Sequence, residues 1–187
     1  MKVIIFNIFL IVPLLFGKNV FAKCIEMCND EWWKVATITD VKTELNAGTD
    51  IMARDAEGAT PLHSAAIYGT NEIIQTLLAS GADISARNEC DSAPLHFAAS
   101  RGTVETIKAL LDGGADIMAA EADGWTPLHR AATCFDCSPE NIHLLLDSGA
   151  SVFVTDEEGM TPWDYAQENK TLMGTTGYFA LRNASIK

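Results

Sequence analysis

An all-α solenoid of about five helix–turn–helix units with β-turn or hairpin tips is the fold class this sequence predicts, and three observations predict it. A short segment recurs: Thr60-Pro61-Leu62-His63-Ser64-Ala65-Ala66, Ala93-Pro94-Leu95-His96-Phe97-Ala98-Ala99, Thr126-Pro127-Leu128-His129-Arg130-Ala131-Ala132 and, altered, Thr161-Pro162-Trp163-Asp164-Tyr165-Ala166. Its prolines are 33, 33 and 35 residues apart. A second landmark, Gly48-Thr49-Asp50, Gly81-Ala82-Asp83, Gly114-Ala115-Asp116 and Gly149-Ala150-Ser151, keeps the same 33, 33 and 35. The units at both ends depart from the pattern, as end members of a stack must when no single unit can bury its own apolar face.

Residues 1–22 stand outside the fold. Lys2 opens a short basic region, Val3 to Phe16 is apolar apart from Asn7 and Pro13, and Val20-Phe21-Ala22 suits signal peptidase. The run of 14 residues is short for a membrane span of about 20, so a cleaved secretory signal is expected, with export to the periplasm or the exterior. Lys23 before Cys24 argues against a lipoprotein site. Removing the segment takes away two lysines and no acid, which moves the net charge from −12 to −14. Such a chain repels nucleic acid and anionic membranes and favours a basic partner. No stable membrane insertion is expected after cleavage.

The remaining chain divides into an N-terminal cap repeat (23–54), full repeats at 55–87, 88–120 and 121–155, and a C-terminal cap repeat (156–187). Trp32, Trp33, Val35 and Ala36 stand in for the first helix of the N-terminal cap, and Val41, Leu45 and Gly48 mark the second. In each full repeat Thr-Pro or Ala-Pro opens a helix, with proline at the first helical position, where no donor is lost. Leu62, Ala65 and Ala66 form one apolar face at i, i+3 and i+4. Ile73, Ile74, Leu77 and Leu78 do so on a second helix that Gly81 ends. Ile107, Leu110, Leu111 and Gly114 repeat that set, as do Ile142, Leu145, Leu146 and Gly149. Turns such as Asp55-Ala56-Glu57-Gly58 and Glu121-Ala122-Asp123-Gly124 follow. Asp91 replaces glycine in the second copy, and aspartate tolerates a left-handed backbone well enough for that turn to survive. Leu172, Tyr178 and Leu181 outline a last covering helix.

The recurring TPLH-x-A-A, the paired leucines and the G-A-D together resemble the ankyrin repeat family over nearly all of the chain after residue 22. The resemblance implies a structural role for His63, His96 and His129, whose imidazoles would hydrogen-bond the helix N-cap and nearby backbone. It also implies a concave surface, made of turn tips and first helices, that binds another protein. Aligned on the prolines, Glu57, Glu89, Asp123, Trp125, Glu158 and Met160 fall on the tips, with Cys90. Tyr68, Arg101 and Arg130 fall on the first helices. Trp125 stands where the repeat accepts almost any side chain, and tryptophans are over-represented among residues that dominate interfaces. The rival reading packs its indole on the next turn.

No constellation for catalysis emerges. His143 has no partner at ligand spacing, the carboxylate pair Glu157-Glu158 belongs to a solvated turn, and there is no Gly-rich phosphate loop or G-x-S-x-G. No metal or cofactor is expected. The third full repeat runs two residues long, because His129 to Leu145 spans 16 where the other copies span 14. The extra residues fall around Cys134 and Cys137, in a loop lacking the glycine that the other copies keep at Gly69 and Gly102. Three readings compete there: a structural disulfide, a redox-active pair, and half a zinc site completed by Cys24 and Cys28. In an oxidising compartment the disulfide is favoured; Cys24 and Cys28 are close enough in sequence to pair with each other. Cys90 is left as a free thiol or an intermolecular link. The chain therefore reads as a non-enzymatic protein-binding module acting outside the cytoplasm. The alternatives are a thiol–disulfide protein using Cys134 and Cys137, and a secreted effector or inhibitor that binds a protein of another cell.

Overall fold

The computed structural model describes residue 27, residues 29–135 and residues 138–186, which form ten α-helices and no strand. The segment 1–22 and Cys24, Cys28 and Cys137 lie outside the described residues. The helices pair in chain order: α1 (Asp30–Trp33) with α2 (Ile38–Asn46), α3 (Pro61–Tyr68) with α4 (Asn71–Ala79), and α5 (Pro94–Arg101) with α6 (Val104–Asp112). Then come α7 (Pro127–Thr133) with α8 (Pro139–Asp147), and α9 (Pro162–Glu168) with α10 (Thr176–Ser185). The predicted stack of five helical pairs is the fold.

First helices form one layer, in which α3, α5, α7 and α9 follow one another and α1 adjoins α3. Second helices α2, α4, α6, α8 and α10 form the other. Small residues set the spacing of the first layer: Ala65, Ala66, Ala98, Ala99, Ala131 and Ala132 are fully buried. At Gly102 there is no room even for a methyl, since a Cβ would lie 2.4 Å from the Ala66 carbonyl oxygen. Between the layers, Leu62, Leu95 and Leu128 meet Ile74, Leu77, Ile107, Leu110, Ile142 and Leu145, all buried. Each such side chain contributes about 1.5–3 kcal/mol when fully buried. It is fully buried only when the neighbouring pair is present, so the pairs stand or fall together.

The tips are tied by polar groups. Asp55 Oδ1 accepts from the Glu57 and Ala59 amides, Asn88 Oδ1 from Cys90 and Ser92, and Asp156 Oδ1 from Glu158 and Met160. Gly58, Gly124 and Gly159 take φ of 75° to 86° in these turns, and Asp91 takes 61° in the same place, so the turn survives the substitution as expected. One backbone bond joins each tip to the next: Glu89 N–H to Glu57 O, Ala122 N–H to Cys90 O, and Glu157 N–H to Asp123 O. Arg54 adds a staple, donating to the carbonyls of Gly58 (2.6 Å) and Arg87 (2.5 Å), and Arg87 repeats it on Asp91 and Ala120.

The histidines carry the stack from one repeat to the next. His63 Nδ1 accepts from the Thr60 amide (3.1 Å) and hydroxyl (2.9 Å), which leaves Nε2–H to donate to Ser92 O at 3.0 Å. His96 accepts from the Ala93 amide and donates toward Ala119 O and Trp125 O. His129 accepts from Thr126 and donates to Met160 O. In the last pair Asp164 performs only the local half, accepting from the Thr161 amide (2.8 Å) and hydroxyl (2.6 Å).

The ends differ from expectation in two respects: Leu172, expected on the last covering helix, lies in the turn before α10, and the first helix is shorter than expected. α1 stops at Trp33, so Val35 lies beyond the helix it was grouped with and is 77% exposed. Trp33 is buried instead, with its indole N–H donating to Met27 O at 2.9 Å.

Candidate functional site

Tips and first helices enclose two adjoining clefts. The first, about 440 Å³, is lined on the tip side by Asp55, Glu57, Asn88, Cys90 and Ser92, and on the helix side by Ile67, Phe97, Ser100, Arg101 and Arg130, with Asp30 at one end and Glu121 in its wall. The second, about 500 Å³, runs on along Ile67, Tyr68, Ser100, Arg101, Arg130, Thr133, Cys134 and Phe135. They share Ile67, Ser100, Arg101 and Arg130, and so form one trough.

Of the residues predicted for a binding surface, the trough brings together Glu57, Tyr68, Arg101 and Arg130. Glu89 and Glu158 are exposed on their tips, outside its lining. Met160 acts chiefly through its backbone, the amide donating to Asp156 and the carbonyl accepting from His129. Asp123 is half-buried, and its Oδ1 accepts from the Trp125 amide at 3.2 Å.

Trp125 is half-buried and has partners the sequence did not suggest. Its ring lies 4.8 Å from that of Tyr165 and 6.1 Å, stacked, from His129, while the Arg130 guanidinium sits 4.8 Å above its face. The Tyr165 hydroxyl donates to Asp156 Oδ2 at 2.5 Å, which pushes the phenol up to about 12. Burial raises the Asp156 carboxyl, but the bonds from Tyr165 and the Met160 and Glu158 amides outweigh it and hold it below the usual range.

Sequence reasoning missed Glu121. It occupies the place of Asp55, Asn88 and Asp156, whose shorter side chains accept from their own turn. With one more methylene its carboxylate turns inward, is buried, and receives the Ser92 hydroxyl at 2.5 Å. Arg130 grips it with two nitrogens: Nε at 3.1 and 2.9 Å from the two oxygens, and Nη2 on Oε2. The only signal in the sequence was an acid one carbon longer than its counterparts in the other copies.

The insertion reshapes the second cleft. α7 has 7 residues where α3 and α5 have 8. Cys134 leaves the helix with φ −67° and ψ 139°, and Phe135, which stands where the other copies have glycine, is 73% exposed. Without a glycine the chain cannot follow the close path of Gly69 and Gly102, where a Cβ would meet backbone oxygens at 2.5 and 2.4 Å. Asn169 satisfies the freed carbonyls, its amide donating to Ala132 O (3.0 Å) and Cys134 O (2.8 Å). Cys134 Sγ lies 2.7 Å from Ser100 O. Cys90 is a free, exposed thiol.

Among the described residues no group of three His, Cys, Asp or Glu side chains is placed to hold a metal, and no helix is long and apolar enough to cross a membrane. His63, His96 and His129 are all buried and bound to backbone. A family model for ankyrin repeats, in three copies, matches residues 65–156 and 95–172. No curated protein matches the chain.

Proposed function

Because the chain belongs to the ankyrin repeat family, whose repeats form a protein–protein interaction module, we propose that it acts outside the cytoplasm by binding a partner protein along the trough between its tips and first helices. The trough itself carries this reading: it is continuous across three repeats, and part of its lining, Arg101 and Phe135 among it, consists of side chains that the stack does not need. The partner carries a basic patch, which the net charge of −14 left after removal of residues 1–22 attracts at long range. The protein is not an enzyme in this reading, since its buried histidines are spent on backbone and N-cap groups and its buried carboxylates on hydroxyl, guanidinium and amide donors.

Export rests on residues 1–22 as a cleaved signal, and it determines the state of the thiols. In that compartment Cys134 and Cys137 form a structural disulfide that closes the glycine-free loop, contributing about 2 kcal/mol for so short a ring. Cys24 and Cys28 pair likewise, which leaves Cys90 as the reactive thiol. A secreted effector that binds a protein of another cell would work by the same mechanism. A thiol–disulfide activity is the competing reading, and an insulin-reduction assay separates the two: turnover that disappears in Cys137→Ser would replace the binding role. For the binding role, cross-linking of the purified protein to partners from the exported fraction is expected to map to the tips and to α3, α5 and α7, and to weaken with salt. Cross-links confined to α2, α4, α6 and α8 would reject it.

A further inference from the structure

The trough is not uniform in charge. Its tip side carries Asp55 and Glu57, with Asp30 at one end, but the second cleft is lined by no carboxylate. That cleft holds the one arginine in the trough that the fold leaves uncommitted. Arg130 is gripped by Glu121, and Arg54 and Arg87 near the tips donate to backbone carbonyls. Arg101 is exposed and forms no ion pair among the described residues. Beside it stand Tyr68, half-buried, and Phe135, which the two-residue insertion pushes out to 73% exposure. An exposed aromatic next to a free guanidinium has no use in holding the stack, as the other copies place glycine where Phe135 stands.

Resting on the binding role proposed above, we infer that the trough takes an extended partner segment of mixed charge, whose acidic side chain, flanked by a large apolar one, seats on Arg101 beside Tyr68 and Phe135 while its basic side chains run along the acidic tips. Charge complementarity selects this occupant. A uniformly basic segment would be drawn to Glu57 and Asp55 but would meet an arginine at Arg101, whereas a uniformly acidic one would be repelled by the rest of the chain. A guanidinium offers two parallel donors to a carboxylate, and flanking aromatic surface excludes water from the pair, which is the setting in which interface residues dominate binding. The acidic tips supply the encounter and Arg101 supplies the register, since one misplaced residue would set like charges together.

The test is to pan a displayed library of random dodecapeptides on the full chain and measure the enriched peptides against variants. Enriched peptides are expected to hold Asp or Glu next to a large apolar residue, with Lys or Arg on one side. Arg101→Glu is expected to weaken them about tenfold or more, Arg101→Lys to restore part, and Phe135→Ala to weaken them by a smaller factor. Arg101 and Phe135 are exposed, so these variants keep the helical circular dichroism of the parent. A library yielding no peptide that depends on Arg101 overturns the inference. Peptides lost with Glu57→Lys alone leave the binding role standing and reject only the acid-on-Arg101 docking. Peptides indifferent to Glu57, Arg101 and Phe135 alike bind elsewhere and reject both.

Discussion

Acidification from pH 7.5 to 5.5 is expected to destabilise the stack through its three linking histidines. Burial, the largest influence on each of His63, His96 and His129, holds its pKa below 6.5, and the carbonyl receiving Nε2–H offsets this only in part. The folded chain therefore keeps a neutral ring whose Nδ1 accepts from the N-cap amide, a bond that protonation would destroy. The unfolded chain takes up the proton near pH 6.5. With the folded values depressed, this contribution is complete above pH 6.5 and is lost as pH falls, for as long as the unfolded chain binds a proton that the folded one refuses. Each histidine then imposes a slope of at most about 1.4 kcal/mol per pH unit, and three impose about 4. Total stabilities are about 5–15 kcal/mol, so even a fraction of that limit is a measurable share of the whole. Asp156 and Asp164 do not share this window: both are lowered, so their contribution is lost only as pH falls below the ordinary aspartate range. Urea denaturation followed by far-UV circular dichroism at pH 7.5, 6.5 and 5.5 measures the slope, which should be positive and no steeper than three protons per chain allow. His96→Gln should be less stable at every pH and should show a shallower slope, by up to one proton. Stability that stays level from pH 6.5 to 5.5, or a slope unchanged in the variant, refutes the neutral-imidazole relay.

Further consequences follow from single residues. Glu121→Ala leaves Ser92 and Arg130 without their acceptor and should cost about 1–3 kcal/mol in urea titration, less than for a fully buried pair because Arg130 keeps contact with water. Asp91→Gly relieves a side chain held at φ 61° and should raise stability by about 0.5–1 kcal/mol; a loss would show that the carboxylate has a role its backbone strain conceals. In a spectrophotometric titration one of the three tyrosines should ionise only near pH 12, and Tyr165→Phe should abolish that late phase. Alkylation of the exported protein without reductant should label one cysteine, Cys90, and labelling of Cys134 or Cys137 would contradict the staple.

Legibility in the sequence followed from how many residues shared a task. The helical pairs were readable because proline, alanines, leucines and glycine each marked the same register several times over; the family pattern gave the histidines their bond to the N-cap but not their reach to the next repeat's carbonyls. Asp91 was readable because a left-handed turn admits few residues. Val35 was misplaced because an apolar side chain next to two tryptophans reads as helix face, while nothing in the sequence showed that α1 would stop after one turn. Of the two residues expected on the binding face, Arg130 lines the trough and Trp125 does not, and their stacking on Tyr165 and grip on Glu121 join residues of different repeats or of turn and helix. Such pairs depend on side-chain length, which periodicity does not report.

The repeat also supplies its own control for deciding which side chains the fold requires. Ser92, Trp125 and Met160 occupy one register position, and what the stack takes from each is a backbone carbonyl for the preceding histidine. The indole of Trp125 is therefore surplus to the stack. The same reasoning applies to Glu121, since Asp or Asn serves that turn elsewhere, and to Phe135, since glycine does. All three departures fall in the repeat that also carries the insertion, and two of them, with Arg130, border the trough. A buried carboxylate held by one arginine and one hydroxyl is weak evidence for stability, because apolar replacements often do as well. Its better-supported use is to fix an arrangement, and what it fixes here is Arg130 against the Trp125 ring, on the helix wall that it shares with Arg101. Departures from a local rule without evident gain to the fold are where function collects. If that holds, simultaneous Glu121→Asp, Trp125→Ala and Phe135→Gly should leave a folded stack whose trough no longer selects a partner. A triple variant that unfolds would instead assign these residues to the scaffold.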